Sequence, residues 1–595
     1  MSPPNLLSTV LLFLLSTVVS VGKETPSPTP KCKAIPGTPA WPSAAAWTHL
    51  NESTGGRLLQ PSPPGAVCHP GQPTYNASEC AAVVAAGGGG WATYEFHSAD
   101  PVSVDWNQWA NDTCLPGEAY PCSPRGYPVF VVNASTAAHV QAGLQFARKN
   151  NIRVIVKSSG HDYLGRSVAP FSLSIWVHHL KSTPKTHTSF RPSGCNVEIN
   201  STAVTVAAGT QMEELYSFLD KLNQTTIGGG GKTVSLGGYL TGGGHGLLSP
   251  THGLAADNVL EMEVVTPTGK IVIANECTNT DLFFAMRGGG GSTFGILTST
   301  TLLTFPTPHL TSTITALYTP NLSSPNLFPM LAYILSQLPS LSDAGVSGYA
   351  SFFTNMTSPL SSDPTPLAGI GLSLVLQDSP PSSLSNLLNP ILEHINTTYP
   401  EEFAVVQIPA DYDSFYGWYQ VNYDQSSAGR DMVVGSRLLG REHVVDTSKV
   451  AEALREMALG GSGSGIMHVV AGRGVREAVP RGEGGDAVCP AWRRAYVHIA
   501  NSVSWEPLNA TARTEAMSRL NKSLRGVREL APDMGAYMNE ANPEEPNWQT
   551  QFWGSNYNKL LRIKRSIDPE DVLWCNPCVG NERWKENEDG QLCRV

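Results

Sequence analysis

The sequence predicts an α+β chain of more than one domain. Three observations predict it. At 595 residues the chain exceeds what a single core organises. Between residues 127 and 160 an apolar run, an amphipathic helical run and a second apolar run ending in Ser-Ser-Gly spell a βαβ unit. After residue 308 the glycine-rich text gives way to Ser/Pro-rich links, amphipathic pieces and β-like runs, the texture of a separate α+β unit. With 41% hydrophobic and 15% charged residues the chain is globular, and a formal charge of −10 with pI near 5.8 argues against a nucleic-acid partner.

Taken in order, residues 1–21 carry an apolar stretch from Leu6 to Val21 that reads as a signal-peptide core, short for a membrane span. Residues 22–124 are rich in Pro, Gly, Ser and Cys and read as a disulfide-stapled, irregular extension. Secretion suits the eleven cysteines and the eleven Asn-x-Ser/Thr sequons, so N-glycans are expected. The short spacings suggest local staples such as Cys68–Cys80 and Cys114–Cys122, and an odd count leaves at least one thiol outside intramolecular pairs. "YPVFVVNAS" is a strand, "STAAHVQAGLQFARKNN" a helix with a Ser/Thr start and basic last turn, and "IRVIV" a buried strand. Further strands and helices run to residue 307. Residues 308–534 form the second α+β unit, within which the Gly- and charge-rich stretch 459–486 is expected to be a mobile loop. An aromatic-rich, then helical segment follows over 535–585, and 586–595 is a tail.

Three glycine clusters, "SSGHDYLG", "GGGGKTVSLGGYLTGGGHG" and "RGGGGSTFG", fall within 140 residues of αβ text. Glycine lets backbone approach a ligand, and runs of free N–H groups bind pyrophosphate. None matches the G-x-G-x-x-G of a Rossmann site. His161, in the first cluster, can be a base, a covalent anchor or a satisfied core residue; zinc fails on spacing, with no His or Cys at i+3 or i+4. His245 and His252, in the second cluster, are candidates for a proton relay or for structural roles. "GGSGSG" (460–465) lacks the Lys-Ser/Thr of a phosphate loop, and Cys575-x-x-Cys578 lacks a second pair for zinc, so disulfides with partners such as Cys593 are expected. No metal is expected.

Four segments in order resemble the berberine-bridge-enzyme-like oxidases of the vanillyl-alcohol-oxidase/PCMH flavoprotein superfamily: "KSSGHDYLG" (157–165), "TVSLGGYLTGGGHGLLSPTHGLAADNVLEMEVVTPTG", "DLFFAMRGGGGSTFGILT" and "FWGSNYNKLLRIKRSIDP". The resemblance covers 125–307 and the tail segment 535–585. It implies a PCMH-type FAD-binding domain of two αβ subdomains and a substrate domain built on an antiparallel sheet. It also implies FAD bonded covalently to His161, with Ser158, Ser159, Gly160, Gly165, Val234, Gly237, Gly238, Gly243, Gly244, Gly295, Ile296, Asn556 and Tyr557 around the cofactor. Relatives with a second bond use a cysteine where this chain has Gly231, so attachment through His161 alone is implied. Val234 matches a position that gates oxygen, where valine permits access. Tyr537, in a Y-x-N motif with Asn539, is implied as the catalytic base, its anion needing positive charge or donated hydrogen bonds; Asp411, Tyr412 and Asp413 are the reserve. The reaction implied is oxidation of an alcohol or secondary-metabolite intermediate, with electrons passed to O2. A carbohydrate oxidase and a non-catalytic flavin-fold glycoprotein are the alternatives.

Overall fold

The computed structural model describes residues 31–85, 89–357 and 365–595. The apolar leader at 1–21 lies outside the described residues. Among them, no helix is long and apolar enough to cross a membrane.

The βαβ unit forms as its pattern predicts. Thr136 caps the helix Ala137–Lys149 by accepting from the His139 N–H, and Val140, Leu144 and Ala147, spaced i, i+4, i+7, are buried against Val132, Leu173 and Ile175. Gly143 allows the helix to lie close on the sheet: a Cβ there would stand 2.5 Å from Ile175 Cδ1. The sheet runs Phe130–Asn133, Ser172–Trp176, Arg153–Lys157 in parallel, with the short strand Leu58–Leu59 antiparallel on its edge. The extension before residue 125 is thus woven into this unit. A second, antiparallel sheet of five strands follows in the order Lys185–His187, Ala203–Ala207, Ile296–Leu303, Val259–Val265, Ile271–Asn275.

The third layer is an antiparallel sheet of seven strands, ordered Ala404–Tyr412, Leu310–Thr319, Pro366–Gln377, Ser347–Thr357, Ser464–Val469, Val497–Trp505, Asp431–Leu439. Helices Leu327–Asp343 and Thr447–Gly460 contribute Leu335, Leu338, Leu454 and Met457 to the same core as Ala350, Met467 and Ile499 of the sheet. Strand alternation sends the intervening residues the other way. Tyr349 pairs with His468 and His468 with His498, so one row of the opposite face carries a tyrosine and two histidines. The α+β class and the antiparallel substrate-side sheet stand.

Two expectations need correction. The stretch 459–486 carries the strand Ser464–Val469 and the helix Arg473–Glu477. Its glycines serve packing and turning: Gly463 has φ +80°, and a Cβ at Gly465 would lie 2.4 Å from the Phe352 ring. Cys68–Cys80 and Cys114–Cys122 form as expected, but Cys575 pairs with Cys578, while Cys593 bonds Cys32. The terminal hairpin Trp584–Glu586/Leu592–Arg594 lays Cys593 alongside Cys32 as a bridge partner, which proximity in sequence could not reveal. Cys195–Cys277 completes the set, and buried Cys489 is the free thiol among the described residues.

Candidate active site

The strand Arg153–Lys157 ends on a buried lysine whose Nζ donates to the carbonyls of His97 (3.1 Å) and Asp100 (2.8 Å). Burial pulls Lys157 down to about 8, with Asp100 and Asp105 resisting. Beyond it the chain turns sharply. Gly160 has φ +93°, and Gly165, at φ +74°, lies so near the Trp109 ring that a Cβ would stand 2.3 Å from it. The loop between them presents His161. Its Nδ1 lies 3.1 Å from Asp105 Oδ2, its Nε2 lies 2.6 Å from Thr233 Oγ1, and the Tyr94 ring packs 4.6 Å away. Burial, then the charge of Lys157, brings His161 down to about 3, so the imidazole is neutral and keeps a lone pair. Asp105 is fully buried and its carboxyl is held well above the usual range by desolvation, against the pull of Lys157. Neither Asp105 oxygen has a hydrogen-bond partner of good geometry in the chain.

The second glycine segment folds against this loop. The Ser235 hydroxyl donates to Ser158 Oγ, and the Trp176 indole donates to the Ser158 carbonyl at 3.1 Å. Ser159 and Gly160 are buried beneath, whereas Gly238 is exposed and a Cβ on it would meet nothing within 4 Å. At Gly237 a Cβ would touch only Ala208, at 3.7 Å. This open, side-chain-free wall beside His161, with the unpartnered Asp105 carboxyl, fits an FAD held by loops 158–165 and 233–238. Gly243 (φ +116°) and Gly244 (φ +73°) turn the chain under Tyr537 and Tyr239. Gly295 and Ile296 are buried at the start of a strand, where a Cβ on Gly295 would stand 2.4 Å from Val264 Cγ1. Asn556 donates to the Val488 carbonyl at 2.9 Å, and the Tyr557 hydroxyl donates to Glu582 at 2.6 Å, so the hydrogen bonds of both lead into neighbouring chain. Val234 is half-buried, and a Cβ on Gly231 would lie 3.1 Å from its Cγ2.

Tyr537 is buried, and its hydroxyl accepts from Asn539 Nδ2 at 3.0 Å. The stabilised anion expected of it is absent from this environment: burial, then the charge of Glu540, raises the phenol, outweighing the Asn539 bond. Of the reserve residues, Asp411 lies elsewhere. It accepts from Thr311 at 2.9 Å on the edge strand, four strands away from the one carrying His468. His252 stacks on Phe305 at 4.0 Å, outside the group that His245 joins.

That group is a cluster that the sequence reading missed. His245 Nε2 lies 3.1 Å from Glu540 Oε1, and His498 Nδ1 lies 3.5 Å from Glu540 Oε2. His468 stacks on His498 with centroids 5.7 Å apart, and Tyr537 stands edge-on to His245 at 5.0 Å. Burial alone would raise Glu540, but the His245 imidazole paired with it holds it well below the usual carboxylate range. Burial brings His468 to about 3 and His498 to about 4. The one signal available beforehand was a histidine inside each of two apolar strands, "GIMHVV" and "YVHIA".

The family described as FAD binding domain matches residues 128–275, and that described as berberine and berberine like matches 536–580. The FAD-linked oxidoreductase patO of Aspergillus clavatus is 32% identical over 593 residues, 98% of each chain. The VAO-type flavoprotein oxidase VAO615 of Thermothelomyces thermophilus is 30% identical over 604 residues, covering 99% of this chain and 100% of its own. Among solved structures, the VAO-type flavoprotein MtVAO713 of Myceliophthora thermophila superposes with TM-score 0.87 at 28% identity, over 95% of this chain and all of its own. A carbohydrate oxidase from Microdochium nivale shares the fold at TM-score 0.60 and 19% identity, over 76% of this chain and 92% of its own.

Proposed function

Because this chain belongs to the berberine-bridge-enzyme-like, VAO-type FAD-linked oxidoreductases, we propose that it is a secreted oxidase whose FAD is held by a single covalent bond, through His161. Membership makes it an oxidoreductase rather than a flavin-fold scaffold. The observation that carries the finer reading is the setting of His161: a neutral imidazole on a glycine-shaped loop, between Asp105 and Thr233, at the edge of a wall free of side chains. A covalent bond there would exchange a C–H of the flavin's ring methyl for a C–N bond to one imidazole nitrogen, two electrons passing into the flavin and on to O2. Asp105 and Thr233 would orient the ring and relay the protons released. Ser158, Ser159 and Gly160 and the 233–238 turn supply backbone amides and hydroxyls to the cofactor.

A bound FAD would supply a hydride acceptor at N5 and a two-electron route to O2, giving H2O2. The chain must position an alcohol carbon or a secondary-metabolite intermediate and remove the hydroxyl proton. We assign that proton to Tyr537, whose hydroxyl Asn539 aims; because burial and Glu540 hold the phenol neutral, this reading requires that it ionise once cofactor and substrate fill the site. Val234 leaves a small side chain where bulk would hinder oxygen, and Gly231 supplies no thiol for a second bond. The apolar leader, five disulfides among the described residues and the sequons support secretion with N-glycans; no membrane attachment follows leader removal in this reading. The test is flavin fluorescence after acid precipitation and a denaturing gel. The band should fluoresce, tryptic mapping should place flavin on the His161 peptide alone, and a yellow supernatant over a dark band would end the proposal.

A further inference from the structure

We propose that His245, His498 and Glu540 form a binding site for one divalent transition-metal ion of the zinc class, beside Tyr537. Two imidazoles and a carboxylate are the donor set such ions select over magnesium or calcium. One donor atom from each residue lies within 4.8 Å of the other two. The closest approaches to Glu540, 3.1 and 3.5 Å, match the spacing of adjacent ligands around an ion with bonds of about 2.1 Å.

Rigid elements set the donors. His498 sits in the strand Val497–Trp505 with no exposed surface, His245 follows the helix Leu236–Thr241, and Glu540 closes the 3-10 turn Met538–Glu540. Both His498 ring nitrogens and His245 Nδ1 are buried without a hydrogen-bond partner in the chain. Of these, His498 Nδ1 is the one turned toward Glu540; buried polar atoms are ordinarily satisfied, so a fully buried imidazole aimed at a carboxylate without a hydrogen bond calls for a partner that the polypeptide does not supply. His468 stands next in the row with its Nδ1 also unpartnered, a further imidazole at the edge of the site. Two other groupings of ligand-type residues carry no such site. The cysteines beside His69 are spent in the Cys114–Cys122 disulfide, and Glu442, His443 and Asp533 lie at the surface, the two carboxylates already paired with Arg494.

No acceptor orients the outer nitrogens of His245 and His498, so the ion should exchange and be removable by a chelator. The site rests on the chain's own donors and not on the covalent flavin, and its test reads metal rather than turnover. Purified holoprotein is stripped with a chelator and titrated with Co2+, whose visible bands report nitrogen ligation, and with Zn2+ counted by mass spectrometry. One ion per chain is expected, with binding weakened at least tenfold in His498→Ala and in Glu540→Gln while both variants keep flavin fluorescence on a denaturing gel. His245→Gln gives the same reading should either of those fail to fold, and His252→Ala is the control that keeps the ion. The proposal is overturned if wild-type protein takes up no stoichiometric Co2+ or Zn2+, or if uptake is unchanged in the folded variants.

Discussion

His161 and His245 each lie 3.1 Å from a carboxylate, yet the two pairs are opposites. Asp105 has lost all solvent, and burial keeps it protonated against Lys157, with Asp424 and Glu95 adding to the rise. Glu540 keeps 26% of its side chain exposed and is paired with His245, which holds its carboxyl low against burial. The identical contact distance therefore means different chemistry. A neutral carboxyl beside a neutral imidazole orients and trades a proton, whereas an anion beside an imidazole attracts a cation. In the proposed function the first pair would anchor the cofactor, while the second stands beside Tyr537.

The largest expected effect breaks the first pair outright. His161→Ala should abolish fluorescence of the denatured band entirely while leaving the 468/498 row intact; a fluorescent band in that variant would relocate the anchor. Next comes a change confined to the second region. Tyr537→Phe should keep the flavin attached and lower the rate of flavin reduction by substrate by about a hundredfold or more, read by anaerobic stopped flow. Reduction at the wild-type rate would move the proton acceptor to another group.

Asp105 sharpens the comparison at smaller cost. Asp105→Ala should slow covalent incorporation of added FAD into apoprotein by about tenfold, the scale of losing a group that orients a histidine. Asp105→Asn keeps the shape of the neutral carboxyl and should recover most of that rate if orientation is the main contribution; an Asn variant as slow as Ala would assign Asp105 to proton transfer. The smallest effect belongs to neither pair. Val234→Leu should slow reoxidation of the reduced enzyme in air by up to about tenfold, a barrier of about 1.4 kcal/mol, and equal rates in the two proteins would remove Val234 from oxygen access.

Much of the first site was legible because its parts are local. The strand ending in Ser-Ser-Gly, the histidine after it and the glycines of 237–244 lie close in sequence, and the positive φ of Gly160 and Gly165 is what a tight loop of that composition requires. Asp105 was not legible: it comes from an extension that reads as irregular, and nothing in its neighbours marks a buried carboxyl. Nor was the strand at 464–469, because Ser-Gly alternation hides a period-two pattern whose inward residues include the glycine filled over by Phe352.

By itself the sequence determined the βαβ unit and the glycine-rich turns, which follow from periodicity and from residues a few positions apart, while FAD and a role for His161 as its anchor were implied by the resemblance of four segments to a flavoprotein family. Only the tertiary structure decided which histidines share a site. His245 and Glu540 are 295 positions apart, and His498 joins them through the register that pairs it with His468. A shift of one residue in that register would have turned both imidazoles into the helix-covered core, so long-range strand pairing, which no local pattern encodes, is what assembled the second site.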